Sequence, residues 1–108
     1  MSGVKVEDLS KQRDAYHLLD VREDDEWRAG RIEGAQHIPL REIARRVGEI
    51  PSDRPVVAVC RSGARSASAV RGLQQLGRAA ENLDGGVTAW ARAGLPLVDE
   101  QGRPGKVI

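Results

Sequence analysis

The amino-acid sequence predicts an α/β fold in three layers, with a parallel β-sheet held between helices, and three observations carry that expectation. Short apolar runs alternate along the chain with segments of helical period, the pattern of repeated strand–helix units. Val56-Val57-Ala58-Val59 is apolar at every position, as a strand covered on both faces must be. Phe is absent and aromatic residues make up only 3% of the chain, so the core has to be assembled from Val, Ile, Leu and Ala.

Val4-Lys5-Val6 reads as a first short strand and Glu7 to Arg13 as a helix. Tyr16 to Val21 reads as a second strand. Asp24 to Ala29 follows as a short helix, with acidic residues at its positive end and Gly30 just beyond it. Ala35 to Ile38 forms a third strand, stopped by Pro39. Leu40, Ile43, Ala44 and Val47 recur at helical spacing, with Gly48 as the cap. Val56 to Val59 is the fourth strand, and the helix after it is expected to bury Ala69, Leu73 and Leu76 before Gly77 ends it. Ala80 to Leu83 is the last strand, and Asp84-Gly85-Gly86 turns it into a helix carrying Trp90. Val98 to Ile108 is polar and turn-rich, a partly ordered tail or a small hairpin returning to the body.

The lone cysteine of the chain stands between the fourth strand and the turn that opens the next helix. The carboxyl ends of strands in open α/β sheets are where clefts form. Cys60 is followed by Arg61-Ser62-Gly63-Ala64-Arg65-Ser66. A free thiol is mostly protonated at neutral pH, but loop amides, a helix N-terminus and guanidinium groups all favour its anion. Arg61 and Arg65 bring the guanidinium groups, and Gly63 lets the backbone curl so that amides converge. The competing reading makes Cys60 a small buried core residue, and the two arginines in a strand–loop–helix context weigh against it.

Four motifs, in this order, give the chain a family resemblance: Leu18-Leu19-Asp20-Val21-Arg22; Gly34-Ala35-Gln36-His37-Ile38-Pro39; the loop from Cys60 to Arg65; and Leu83-Asp84-Gly85-Gly86-Val87-Thr88-Ala89-Trp90 with Ala93-Gly94-Leu95-Pro96. The chain resembles a single-domain rhodanese, a sulfurtransferase module, over about residues 4 to 97. The one visible departure is Gly30-Arg31-Ile32 where the family often has Gly-His-Ile, a surface or packing position. The resemblance implies a central parallel sheet of five strands in the order 3-2-4-5-1. It also implies a pairing of Asp20 with Arg22 that supports the cleft without taking part in chemistry.

The resemblance further implies a mechanism in which the Cys60 thiolate attacks the outer sulfur of a donor such as thiosulfate and carries it as a persulfide until an acceptor removes it. Arg61 is the candidate for gripping the donor and Arg65 for closing the loop or assisting, with Ser62, Gly63, Ala64 and Ser66 completing the anion cradle. Without a second cysteine to discharge the persulfide, the acceptor has to be external: cyanide, a thiol or a sulfur-accepting protein. Four residues separate Cys60 from Arg65, one fewer than in tyrosine-phosphatase-like loops, and Val59 stands where a phosphatase often has histidine. Sulfur transfer is therefore favoured over phosphatase or arsenate reductase activity. The alternative from another class is a non-catalytic regulatory, binding or sulfide-sensing module that keeps the fold.

Length and charge bound the remaining possibilities. At 108 residues with 40% hydrophobic content, one domain over 1–108 is the expectation. No apolar run resembles a signal peptide or a membrane span, and a single thiol suits a reducing compartment, so a cytoplasmic protein without membrane partners is expected. The net charge of +1 is unevenly spread. Residues 41–71 hold seven arginines against three carboxylates, whereas residues 7–33 hold nine acidic and five basic side chains. The basic stretch either concentrates a small anionic donor or is a solvated helix face. Aromatic interleaving and nucleic-acid motifs are both absent, which argues against a nucleic-acid partner. His17 and His37 lack clustered ligands, so neither a metal nor another cofactor is expected. Trp27 and Trp90 read as packing residues, and Asp84-Gly85-Gly86 lacks the lysine of a nucleotide loop.

Overall fold

The computed structural model describes residues 3–108. Its elements, in chain order, are α1 (Val6–Lys11), β1 (His17–Asp20), α2 (Asp24–Ala29), β2 (Gln36–His37), α3 (Ile43–Arg46), β3 (Val56–Val59), α4 (Ala64–Gln75), β4 (Ala80–Asn82) and α5 (Gly86–Arg92). Single 3-10 turns flank α3 at Leu40–Glu42 and Val47–Glu49, so the apolar period read across 40–47 is realised as three short helical pieces.

The four strands form one parallel sheet in the order β2-β1-β3-β4. The expected five-stranded sheet is thereby corrected to four. Val4 makes only a parallel bridge to Leu83 beyond β4, its N–H donating to Asn82 O at 2.8 Å and its carbonyl accepting from Asp84 N at 2.9 Å. The ladder stops there because the chain enters α1 at Val6, which takes the next residues out of extended geometry. The spatial order expected of the segments nevertheless holds, with Val4 on the edge.

Side-chain alternation along the strands builds a core on each face of the sheet. Leu19, Val56, Ala58 and Cys60 join Ile43 of α3 and Ala69, Val70 and Leu73 of α4. Leu18, Val57 and Val59 point the other way, into Leu9 of α1 and Val87 and Trp90 of α5. The β3 run is buried at all four positions, which explains why the sequence there shows no polar alternation. Leu76, expected in the core, is 59% exposed. α4 ends at Gln75, and Leu76 takes a cap conformation (φ −90°, ψ 10°) that swings it out of the helical phase.

Residues 98–108 return to the body. Val98 bridges Arg31 and Pro104, Asp99 caps the turn by accepting from the backbone N–H groups of Gln101 and Arg103, and Lys106 N donates to Ala29 O at 2.9 Å. The parallel register leaves Asp20, His37, Val59 and Asn82 at the same end of the sheet, where the loop after β3 emerges.

Candidate functional site

β3 delivers Cys60 to this carboxyl end, and α4 begins four residues later. Gly63 makes the turn between them in the left-handed region, at φ 116°, where a side chain would be strained. The turn brings donors onto the sulfur: Gly63 N–H lies 3.0 Å and the Ser66 hydroxyl 3.2 Å from Cys60 Sγ. Cys60 is 2% exposed and Ser66 is fully buried, while Arg61, Ser62 and Ala64 form the exposed rim. Burial alone would push the thiol pKa up. The Ser66 hydroxyl and the backbone amides of Ser66, Gly63 and Ser62 outweigh it, and the thiol sits below its ordinary value.

The loop is held from behind by the turn after β4. Gly85 and Gly86 have φ of 78° and 60°, and they aim the first amides of α5 at the loop: Val87 N donates to Cys60 O at 2.9 Å and Thr88 N to Arg61 O at 3.0 Å. A Cβ on Gly86 would run into both of those carbonyl oxygens. With its carbonyls engaged behind, the loop is free to turn its amides toward the sulfur.

A second bracket starts at β1. Arg22 Nε and Nη2 grip the Asp20 carboxylate at 2.9 and 2.7 Å, with both side chains 1% exposed. The remaining guanidinium donors reach Gly30 O at 2.7 Å and Glu26 O at 3.3 Å, so the buried pair ties the end of β1 to α2. From α2, Glu26 takes Arg65 in a two-point ion pair at 2.7 and 2.8 Å and also accepts from Glu23 N in a capping box. The Arg65 guanidinium chiefly, opposed by burial and helped by the Glu23 amide, brings the Glu26 carboxyl down to about 2.

The structure thus gathers Cys60, Arg61, Ser62, Gly63, Ala64, Arg65 and Ser66 into one stretch, and pairs Asp20 with Arg22, which bonds Glu26 O of α2. The two arginines are not equivalent. Arg65 is spent on Glu26, whereas Arg61 is exposed and donates from Nε to Ile108 O at 3.0 Å. Two residues escaped the sequence reading. Glu26 is separated from Arg65 by 39 positions, and only its place three residues after Glu23 at a helix start hints at a structural task. Asn82 ends β4, where its amide donates to Gly63 O at 3.0 Å and its Oδ1 meets the Ser66 hydroxyl at 2.5 Å. The available signal was a polar residue near the end of the expected strand Ala80 to Leu83, just before Asp84-Gly85-Gly86. The histidines have structural partners: His37 stacks on Trp27 at 4.7 Å and bonds Arg22 O, and His17 bonds Gln36. Among the described residues, no group of three or more His, Cys, Asp or Glu side chains is placed to hold a metal ion.

A parallel sheet with helices on both faces, and a cysteine-centred loop at the carboxyl end of a central strand, defines a class of α/β domain. Residues 5–93 match the family model of the rhodanese-like domain, and the chain belongs to that family. It is 48% identical over 86 residues to a sulfurtransferase of Allochromatium vinosum, covering 79% of this chain and 80% of that protein. It is 40% identical over 101 residues to an HTH-type transcriptional regulator of Mycobacterium tuberculosis, covering 90% of this chain and 44% of the regulator, so the chain spans less than half of that protein. The crystal structure of a rhodanese-related protein from Thermoplasma volcanium superposes with a TM-score of 0.88 at 34% identity, over 93% of this chain and all of that one.

Proposed function

We propose that the protein is a sulfurtransferase that moves sulfane sulfur through a persulfide on Cys60. The observation that carries this reading is the set of donors on Sγ, the Gly63 amide at 3.0 Å and the Ser66 hydroxyl at 3.2 Å, which hold the thiol below its ordinary pKa. Family membership and the 48% identical sulfurtransferase support it.

The thiolate electron pair attacks the outer sulfur of thiosulfate, forming the Sγ–S bond while the S–S bond of the donor breaks and sulfite leaves with its electrons. Negative charge passes to the terminal sulfur of the persulfide. An external thiolate or cyanide then attacks that sulfur and carries it off, restoring the Cys60 thiolate. Every species in the cycle is anionic, so fixed amides stabilise it at each stage without reorganising. Arg61 is the guanidinium on the rim suited to a sulfonate, because Arg65 is already paired with Glu26. That pairing also disfavours phosphoryl chemistry, which would call on the loop arginine for the phosphate oxygens. A reducing compartment such as the cytoplasm keeps the thiol available. No helix among the described residues is long and apolar enough to cross a membrane.

Steady-state transfer from thiosulfate to cyanide, followed as thiocyanate, tests the reading, with a low-molecular-weight persulfide as a second donor. Turnover with parallel-line, ping-pong kinetics that disappears in Cys60→Ser supports it, and turnover retained in Cys60→Ser rejects it. The second reading, a regulatory module, draws on the likeness to the mycobacterial regulator. It gains if neither donor is turned over while Cys60 alkylates readily.

A further inference from the structure

The Ser66 hydroxyl has one proton and three acceptors around it. Cys60 Sγ lies at 3.2 Å, Gly63 O at 3.3 Å and Asn82 Oδ1 at 2.5 Å. The Asn82 amide is oriented by its other end, because Nδ2 donates to Gly63 O at 3.0 Å and a flipped amide would set two oxygens against each other. Oδ1 is therefore fixed toward Ser66 as an acceptor that competes with the sulfur. Ser66 is fully buried, which leaves its proton no alternative in bulk water. Gly63 O keeps a donor besides Asn82, the Ala67 amide at 3.1 Å, so the loop turn does not depend on Asn82 alone.

We propose that Asn82 is a positioning residue that acts through Ser66: its Oδ1 holds the Ser66 proton while the Cys60 sulfur is uncharged and yields it when the sulfur becomes an anion. The O–H bond stays intact and only its direction changes. This deepens, and rests on, the reading of Cys60 as the sulfur-carrying nucleophile. In the transfer cycle Sγ alternates between anion and neutral bridging sulfur, and when it is neutral the buried hydroxyl needs another acceptor, for which Gly63 O is distant at 3.3 Å and already accepts from the Asn82 and Ala67 N–H groups. Asn82 Oδ1, at 2.5 Å, is the nearer alternative. The charged groups on the elements packed around the loop are Arg61 and Arg65 of the loop, Glu26 of α2, and the Asp20 and Arg22 pair at the end of β1. Asp84 lies in the turn after β4, and Gly86, Val87 and Thr88 at the start of α5 carry no charge. An uncharged replacement of Asn82 leaves all of these in place.

The test is the pH dependence of iodoacetamide alkylation of Cys60 in the full chain. Asn82→Leu removes the competing acceptor and fills its space. The alkylation midpoint is expected to move to lower pH, with a rate about threefold higher at pH values below the midpoint, within the range one hydrogen bond is worth. In a Ser66→Ala background the same substitution is expected to change nothing. A midpoint that stays put or rises in Asn82→Leu, or a shift that survives in Ser66→Ala, overturns the proposal. If circular dichroism shows Asn82→Leu to be unfolded, Asn82→Ala is read by the same criteria. Alkylation reports the charge on sulfur whether or not a persulfide forms, so failure here and failure of the transferase reading are separate results.

Discussion

Replacing Glu26 by Gln removes the charge that holds Arg65 while keeping the shape of the side chain and its cap on α2. The size of the effect follows from the carboxyl's displacement from 4.5 to about 2. That displacement, at ~1.4 kcal/mol for each factor of ten in the ionisation equilibrium, sets an upper bound of about 3 kcal/mol. Arg65 is 35% exposed against 13% for Glu26, and solvent screening of the arginine brings the expected loss to about 1–2 kcal/mol. Because the folded-state pKa of Glu26 is depressed, the stabilisation is present above pH 4.5 and is lost as pH falls toward 2. Urea unfolding of wild type and Glu26→Gln at pH 7 and pH 3 reads this directly, since other carboxylates titrate alike in both proteins. The variant is expected to be less stable at pH 7, and the gap to shrink to under half at pH 3. A gap of equal size at both pH values, or none at pH 7, would show that the ion pair does not hold the loop to α2.

Three further outcomes follow from the site. Ser66→Ala removes a hydrogen bond to the sulfur, so the alkylation midpoint of Cys60 is expected to rise and the rate at pH 7 to fall about tenfold, measured with iodoacetamide. Arg22→Met leaves Asp20 buried without its partner and is expected to cost about 3–5 kcal/mol in urea unfolding. Gly86→Ala forces a Cβ toward the carbonyls of Cys60 and Arg61 at φ 60°, and is expected to cost about 2–4 kcal/mol and to slow alkylation of Cys60.

Much of this arrangement was legible because it is local. The apolar run Val56 to Val59, the lone cysteine after it and Gly63 specify strand, thiol position and turn within eight residues. Asp84-Gly85-Gly86 was legible as a strand-to-helix turn, although its task of bonding the back of the cysteine loop appears only in three dimensions. Asp20 and Arg22, two residues apart at a strand end, pair as the motif suggested. The residues that stayed hidden work across the chain. Glu26 meets Arg65, and Asn82 meets Ser66, through the neighbouring positions of separate elements, and neither type carries a periodic signal. Helical periodicity extrapolates past the end of α4, where Leu76 leaves helical geometry and lies outside the core. The two valines of the Val4 segment suggest a strand, whereas competition from α1 confines it to one bridge.

The most direct measurement is the intact mass of the reduced protein before and after thiosulfate, then after cyanide, with Cys60→Ser alongside. One added sulfur, removed by cyanide and never seen in Cys60→Ser, is the expected result and would fix Cys60 as the carrier. Sulfur that adds equally to Cys60→Ser, or a wild-type mass unchanged by thiosulfate and by a low-molecular-weight persulfide alike, would contradict the assignment of the loop as a sulfur-transfer site.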